Sequence, residues 1–178
     1  MMGAPGLSLT LLADPVPDEV AGFCCSDPQD LRDFLVDDAA RYVRNRLARV
    51  YLGWEGSTLI GFFSLSCALV RFEELSKEVR SSSELHPAGD ERAIPVVLLG
   101  RLATDERCRS QGKGTWLFDQ AVSIAKFSVA PHVGCRFLAL DANYERVEWY
   151  ERRGCQVLGP VGIPPATTRM GFDLFPPT

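Results

Sequence analysis

Arg109-Ser110-Gln111-Gly112-Lys113-Gly114 is the stretch on which the reading of this chain turns. It stands between an almost unbroken aliphatic run, Ile94 to Leu102, and a segment from Gly114 to Val129. In that segment Trp116, Leu117, Ala121, Val122, Ile124 and Ala125 recur at helical spacing until Pro131 stops it. The aliphatic run has the pattern of a central strand buried on both faces. Glycines at 112 and 114 let the backbone approach an anion closely, the amides of a helix start point at it, and the helix dipole favours negative charge there. The stretch is therefore expected to cradle a pyrophosphate. Arg109 can add a charge-assisted, bidentate contact and Lys113 a mobile point charge. A P-loop would need four residues between its first glycine and Gly-Lys-Ser/Thr, and a dinucleotide fingerprint a third glycine, so neither fits.

Working outward, residues 1 to 22 are rich in Pro, Gly and Asp and predict an irregular lead with one short strand around Leu7 to Leu12. From Asp30, the apolar positions Leu31, Phe34, Leu35, Ala39, Tyr42, Val43 and Leu47 recur at spacings of three and four, which predicts an amphipathic helix. Arg49 to Trp54 and Thr58 to Leu69 read as an antiparallel pair joined at Glu55-Gly56-Ser57. Phe72 to Ala93 reads as a helical turn and then a polar loop of the kind that borders substrate sites. Phe137 to Leu140 is a further strand, and Asn143 to Arg153 a helix closed by Gly154. Cys155 to Leu158 and Thr168 to Leu174 are strands on either side of the Pro160 to Pro165 loop. The order is helix and hairpin first, then strand, helix, strand, helix, strand, strand. That is an α/β or α+β chain expected to form one domain over residues 1–178.

Composition narrows the class. With 46% hydrophobic and 24% charged residues, the balance is that of an ordinary globular protein. No apolar run is of spanning length and Met1 to Pro5 lacks a basic, apolar leader, so a cytoplasmic protein away from membranes is expected. The six cysteines, at 24, 25, 67, 108, 135 and 155, show no C-x-x-C pair or histidine cluster, which predicts reduced, mostly buried thiols and no metal. A net charge of −4 argues against generic binding to a nucleic-acid backbone, although Arg41, Arg44, Arg46 and Arg49 gather near one helix end.

The spacing Arg-x-x-Gly-x-Gly resembles the acetyl-CoA motif of the GNAT superfamily of N-acetyltransferases. The resemblance extends to Leu99-Gly100-Arg101-Leu102-Ala103-Thr104-Asp105 before the loop and to Asn143 and Trp149-Tyr150-Glu151-Arg152-Arg153-Gly154-Cys155 after it, covering residues 94 to 158. It implies a GNAT fold: a central mixed, mostly antiparallel β-sheet with a splayed pair of strands, flanked by helices on both faces. It also implies acetyl-CoA as the cofactor. The backbone of Leu102, Ala103 and Thr104 would pair with the pantetheine arm, the amides of Gln111, Gly112, Lys113, Gly114 and Thr115 would hold the pyrophosphate, and Asn143 would hydrogen-bond the cofactor. Cys155 stands where relatives usually carry Phe. Phe23-Cys24-Cys25-Ser26, Leu31 to Leu35 and Leu59-Ile60-Gly61-Phe62-Phe63-Ser64-Leu65-Ser66, joined to Ile94 to Leu102, look like the branch that includes bacterial toxins acetylating aminoacyl-tRNA.

On this resemblance an amine attacks the thioester, Tyr150 is the candidate general acid that delivers coenzyme A as a thiol, and a main-chain amide near Leu102 or Ala103 holds the oxyanion. Glu73, Glu74 and His86 could serve as a base, and none is assigned. Three functions stay open. The first is acetylation of a primary amine on a small molecule or protein, which an acidic surface suits. The second is a toxin-like enzyme acting on charged tRNA, and the third a CoA-binding sensor without catalysis. A homodimer stays open as well.

Overall fold

The computed structural model describes residues 6–26, 28–82, 92–159 and 167–176. In chain order its elements begin with β1 (Leu7–Leu11), α1 (Gln29–Asp33), a wide π-helical turn (Phe34–Asp38), α2 (Ala39–Arg44), β2 (Arg49–Glu55), β3 (Thr58–Arg71) and α3 (Lys77–Ser82). They continue with β4 (Ala93–Thr104), α4 (Lys113–Ile124), β5 (Phe137–Ala142), α5 (Val147–Glu151), β6 (Cys155–Val157) and β7 (Thr168–Asp173). The strands follow the order β1-β2-β3-β4-β5-β7-β6 in one sheet. The β1–β2, β2–β3, β5–β7 and β6–β7 registers are antiparallel and β4–β5 is parallel. The chain divides into two compact units, Met1–Ser66 with Leu99–Ala121, and Cys67–Leu98 with Val122–Thr178.

In the first unit the hairpin tip is Gly56, at φ 59°, a left-handed position that glycine takes without strain. Successive residues of β3 face opposite sides, because side chains alternate along a strand. Phe62 meets Phe34 in a stacked pair at 6.2 Å and Phe23 edge-on at 5.6 Å, within a core of Leu12, Val20, Leu35, Ala39, Leu52 and Ala103. This is the apolar face of α1, the π-turn and α2. Gly61 turns the other way, under α4: a Cβ there would lie 2.4 Å from the Ala103 carbonyl oxygen and 2.6 Å from Leu117 Cδ1. Helices thus cover both faces of β3, and glycine is what lets β4 and α4 come so close.

In the second unit β5 is central. Its partners are β7, from Phe137↔Asp173 to Ala142↔Thr168, and β4, over Val96↔Phe137 to Leu98↔Ala139 only. The β4–β5 register stops at Leu98 although β4 runs on to Thr104 and β5 to Ala142. Val70, Phe72, Leu75, Val79, Ile94, Val96, Phe137, Ala139 and Leu158 form this unit's core.

Four expectations need correction. The helix predicted over 143–153 is shorter: a 3-10 turn, Tyr144–Arg146, precedes α5, which ends at Glu151. The long helix after the loop keeps α-helical bonding only to Ile124 and then widens into a π-helical turn, Ala125–Val129. β4 is not buried on both faces throughout, since Pro95 and Gly100 are exposed and Arg101 and Leu102 half-buried. All six cysteines are free, yet only Cys25, Cys108 and Cys155 are buried. Residues 83–91 and 160–166, with His86 and most of the loops expected there, lie outside the described residues. Among the described residues no helix is long and apolar enough to cross a membrane.

Candidate active site

β4 ends at a carboxylate that organises the turn beyond it. Asp105 is fully buried, its amide donates to the Ile60 carbonyl at 2.9 Å, and its side chain accepts from the Cys24 amide (3.0 Å) and from the Arg107 amide (3.0 Å), Nε (2.7 Å) and Nη2 (2.7 Å). Burial pushes its pKa up, but those donors outweigh the burial and hold the carboxyl below its ordinary value. The next residue repeats the pattern, with the Glu106 amide donating to the Cys24 carbonyl at 2.9 Å and its carboxylate accepting from the Ser26 amide at 2.6 Å. One segment, 22–26, is thereby tied to the strand end.

From this anchored turn the chain enters the loop. Ser110 and Gly112 both have positive φ, 62° and 76°, and the first helical bond runs from the Trp116 amide to the Gly112 carbonyl at 3.0 Å. Left-handed residues alternating with ordinary ones turn successive amides to one side, the nest arrangement that binds anions. The amides of Gly112, Lys113 and Gly114 precede the helical ladder and point out along its start. A Cβ on Gly112 would meet nothing within 4 Å, so glycine is favoured there by its φ and not by crowding. Gln111 braces the loop through Nε2 to the Arg107 carbonyl, at 3.1 Å.

The loop side chains differ from the expectation in one respect. Arg109 is exposed, with its guanidinium 3.8 Å from the Glu106 carboxylate. Lys113 is only 11% exposed and is engaged by Glu55 at the end of β2. Its charge is therefore committed, and it is the amide rather than the ammonium of Lys113 that the loop presents. Leu102, Ala103, Thr104 and Thr115 sit where the sequence placed them, on β4 past the β5 register and on the first turn of α4.

In the other unit, Asn143 follows β5 directly and is exposed, with its carbonyl accepting from the Arg146 amide at 2.8 Å. Tyr150 lies on α5, half-buried, edge-on to Trp149 at 4.8 Å, and Trp149 in turn carries the Arg153 guanidinium 3.5 Å above its ring. Burial pushes the Tyr150 phenol up to about 12. It therefore stays protonated at neutral pH. Glu73 and Glu74 are exposed on the 3-10 turn Phe72–Glu74.

Sequence reasoning overlooked three residues. Asp105 was readable as Asp-x-Arg at a strand end, the pattern in which an Asx side chain caps the following turn. Glu55 carried no local signal, since its partner is 58 positions away. Arg101 stacks on Phe34, with the guanidinium carbon 3.6 Å from the ring centroid; within a strand pattern nothing marks it out.

No protein-family model matches the chain and no curated protein sequence matches it. Solved structures do. AtaT complexed with acetyl-methionyl-tRNAfMet is 23% identical with a TM-score of 0.77, covering 94% of each chain. A tyrosine-to-phenylalanine mutant of KacT is 22% identical, with a TM-score of 0.78 over 95% of each chain. A mutant AtaT toxin bound to the C-terminus of the antitoxin AtaR and to acetyl-CoA is 23% identical, with a TM-score of 0.70 over 93% of each chain. The likeness spans nearly the whole of each chain and establishes the fold, the GNAT fold that the sequence led us to expect.

Proposed function

We propose that this chain is an acetyl-CoA-dependent N-acetyltransferase whose acceptor is the α-amino group of an aminoacyl-tRNA. The observation that carries the reading is the turn from Arg109 to Gly114, whose two left-handed residues, Ser110 and Gly112, stand directly before the first turn of α4. The likeness to a protein held with acetyl-CoA supports the donor, and the likeness to one held with acetyl-methionyl-tRNAfMet supports the acceptor.

Each part of the site then takes a role. The amides of Gln111, Gly112, Lys113, Gly114 and Thr115 hold the pyrophosphate with Arg109 beside them. The β4 backbone at Leu102, Ala103 and Thr104 pairs with the pantetheine arm, and Asn143 bonds the cofactor. The amine attacks the thioester carbonyl, a C–N bond forms, and the oxyanion is held by an amide near Leu102 or Ala103. When the C–S bond breaks, Tyr150 gives its proton to sulfur. With the phenol near 12 and a thiol near 8.5, complete transfer would be uphill by about 5 kcal/mol, so the phenol must recover its proton from the ammonium of the intermediate.

Acceptor chemistry favours the tRNA reading. An α-amino group with a pKa of about 7.7–8.0 loses its proton at pH 7 for about 1 kcal/mol, whereas an alkyl ammonium near 10.4 needs about 4 to 5 kcal/mol and a dedicated base. We assign no such base. A cationic small-molecule or protein amine is the second reading, favoured by the net charge of −4.

The test offers radiolabelled acetyl-CoA together with charged tRNA, polyamines and peptides. Label released by ribonuclease as N-acetyl-aminoacyl-adenosine supports the proposal. Label on polyamine or peptide supports the second reading, and tight acetyl-CoA binding with no label anywhere supports a sensor.

A further inference from the structure

Arg101 lies on β4 immediately before Leu102, and its surroundings are unusual for an arginine of a core strand. Its guanidinium carbon sits 3.6 Å from the centroid of the buried Phe34 ring, which is van der Waals contact, and 5.5 Å from the Tyr42 ring. Phe34 and Tyr42 are themselves edge-on at 5.1 Å, so the two rings form a corner that the guanidinium fills. Arg41 reaches the same Tyr42 ring at 5.2 Å, but its charge is answered by Asp38 at 2.5 Å. Arg101 is different. It is half-buried, and among the described residues no carboxylate pairs with it.

A guanidinium carries five N–H donors in a fixed plane. Stacking on an aromatic face fixes that plane and satisfies none of the donors, which lie at its edge. Pre-organising a fork in this way lowers the entropy lost on binding, and the geometry of the fork matches two oxygens of a phosphate. An arginine kept only for packing would more commonly be neutralised by a neighbouring acid, as Arg107 is by Asp105 and Arg136 by Asp173. The position matters equally. The next three residues are the β4 segment to which we assign the pantetheine arm and the oxyanion donor, so a group bound at Arg101 would stand beside the proposed reaction centre.

We propose that Arg101 is the acceptor-positioning residue of this protein and grips a backbone phosphate near the 3′ end of the RNA that carries the reacting amine. This rests on the aminoacyl-tRNA reading and adds the residue that reads the acceptor. Phe34 and Tyr42 hold the guanidinium, and the guanidinium holds the phosphate.

The experiment measures binding of a fluorescently labelled single-stranded RNA ending in CCA to the full chain by anisotropy across a salt series, with acetyl-CoA affinity measured in parallel. Losing one phosphate contact on a single strand flattens the plot of log K against log salt by about 0.7. Arg101→Met, which keeps most of the packing volume, is expected to show that flattening together with a roughly tenfold weaker Kd at low salt, about 1.4 kcal/mol. Arg101→Lys keeps the charge and loses the stacked fork, so it should retain the wild-type slope with an affinity between the two. Wild-type slope in Arg101→Met overturns the proposal, as does wild-type RNA affinity in Arg101→Lys. Should Arg101→Met fail to fold, the lysine variant alone decides. Absence of RNA binding by the wild type overturns the phosphate assignment, whereas absence of acetyl-CoA binding overturns the proposed function itself.

Discussion

Replacing Gly61 by alanine tests how closely β3, β4 and α4 are packed. The new methyl carbon would stand 2.4 Å from the Ala103 carbonyl oxygen, 2.6 Å from Leu117 Cδ1 and 3.1 Å from Thr104 Cα. Leu117 can rotate away in part, but two of the three neighbours are backbone atoms of the strand, which cannot move alone. Overpacking a filled core costs typically 1–3 kcal/mol, and immovable neighbours put this case at about 3. At about 2–4 °C per kcal/mol for a chain of this size, the melting temperature should fall by about 6–12 °C. Gly112→Ala is the control. Its methyl meets nothing within 4 Å, so it carries only the left-handed backbone cost of about 1–2 kcal/mol. The assay is thermal unfolding by circular dichroism, with acetyl-CoA affinity alongside, because any shift of Ala103 and Thr104 disturbs the strand assigned to the pantetheine arm. A Gly61→Ala protein that melts within about 2 °C of the wild type would refute the packing argument.

Three further outcomes are expected. Tyr150→Phe should lower turnover by at least about tenfold while leaving the acetyl-CoA Kd nearly unchanged, as steady-state kinetics and calorimetry would show; wild-type turnover removes Tyr150 from the mechanism. Asp105→Asn should cost about 1–3 kcal/mol at neutral pH by unbalancing the bonds from Arg107 and Cys24. Because the folded carboxyl is held below its unfolded value, that stability is present above the unfolded pKa of about 3.9 and is lost as pH falls through the folded value. The gap in melting temperature between wild type and Asp105→Asn should therefore close in acid. Lys113→Gln should reduce stability by no more than about 1 kcal/mol and acetyl-CoA affinity less than Gly112→Asp does, because its ammonium is already engaged by Glu55 and the amide is retained.

The elements that were legible in the sequence are those whose signals are local. The helix from residue 29, the hairpin about Gly56, β4 and the loop before α4 each carry a periodicity or a glycine that states a backbone requirement. What escaped depends on partners far along the chain. Whether Lys113 would be mobile or committed turned on Glu55, and what Arg101 stacks against turned on Phe34. The helix over 143–153 was overestimated because apolar spacing does not separate a 3-10 turn from an α-helical one, and the turn at Tyr144–Arg146 occupies its first residues. In the candidate site, the loop's left-handed positions include Ser110, which no glycine announced.

Calorimetric titration of acetyl-CoA and of acetyl-pantetheine, which lacks the pyrophosphate, into the wild type and Gly112→Asp reaches the loop directly. The aspartate is expected to weaken acetyl-CoA binding by more than about 1.4 kcal/mol, a tenfold loss, and to leave acetyl-pantetheine unaffected. Unaltered acetyl-CoA affinity, or an equal loss for both ligands, would contradict it, because the diphosphate would then be held by something other than the amides that follow Arg109.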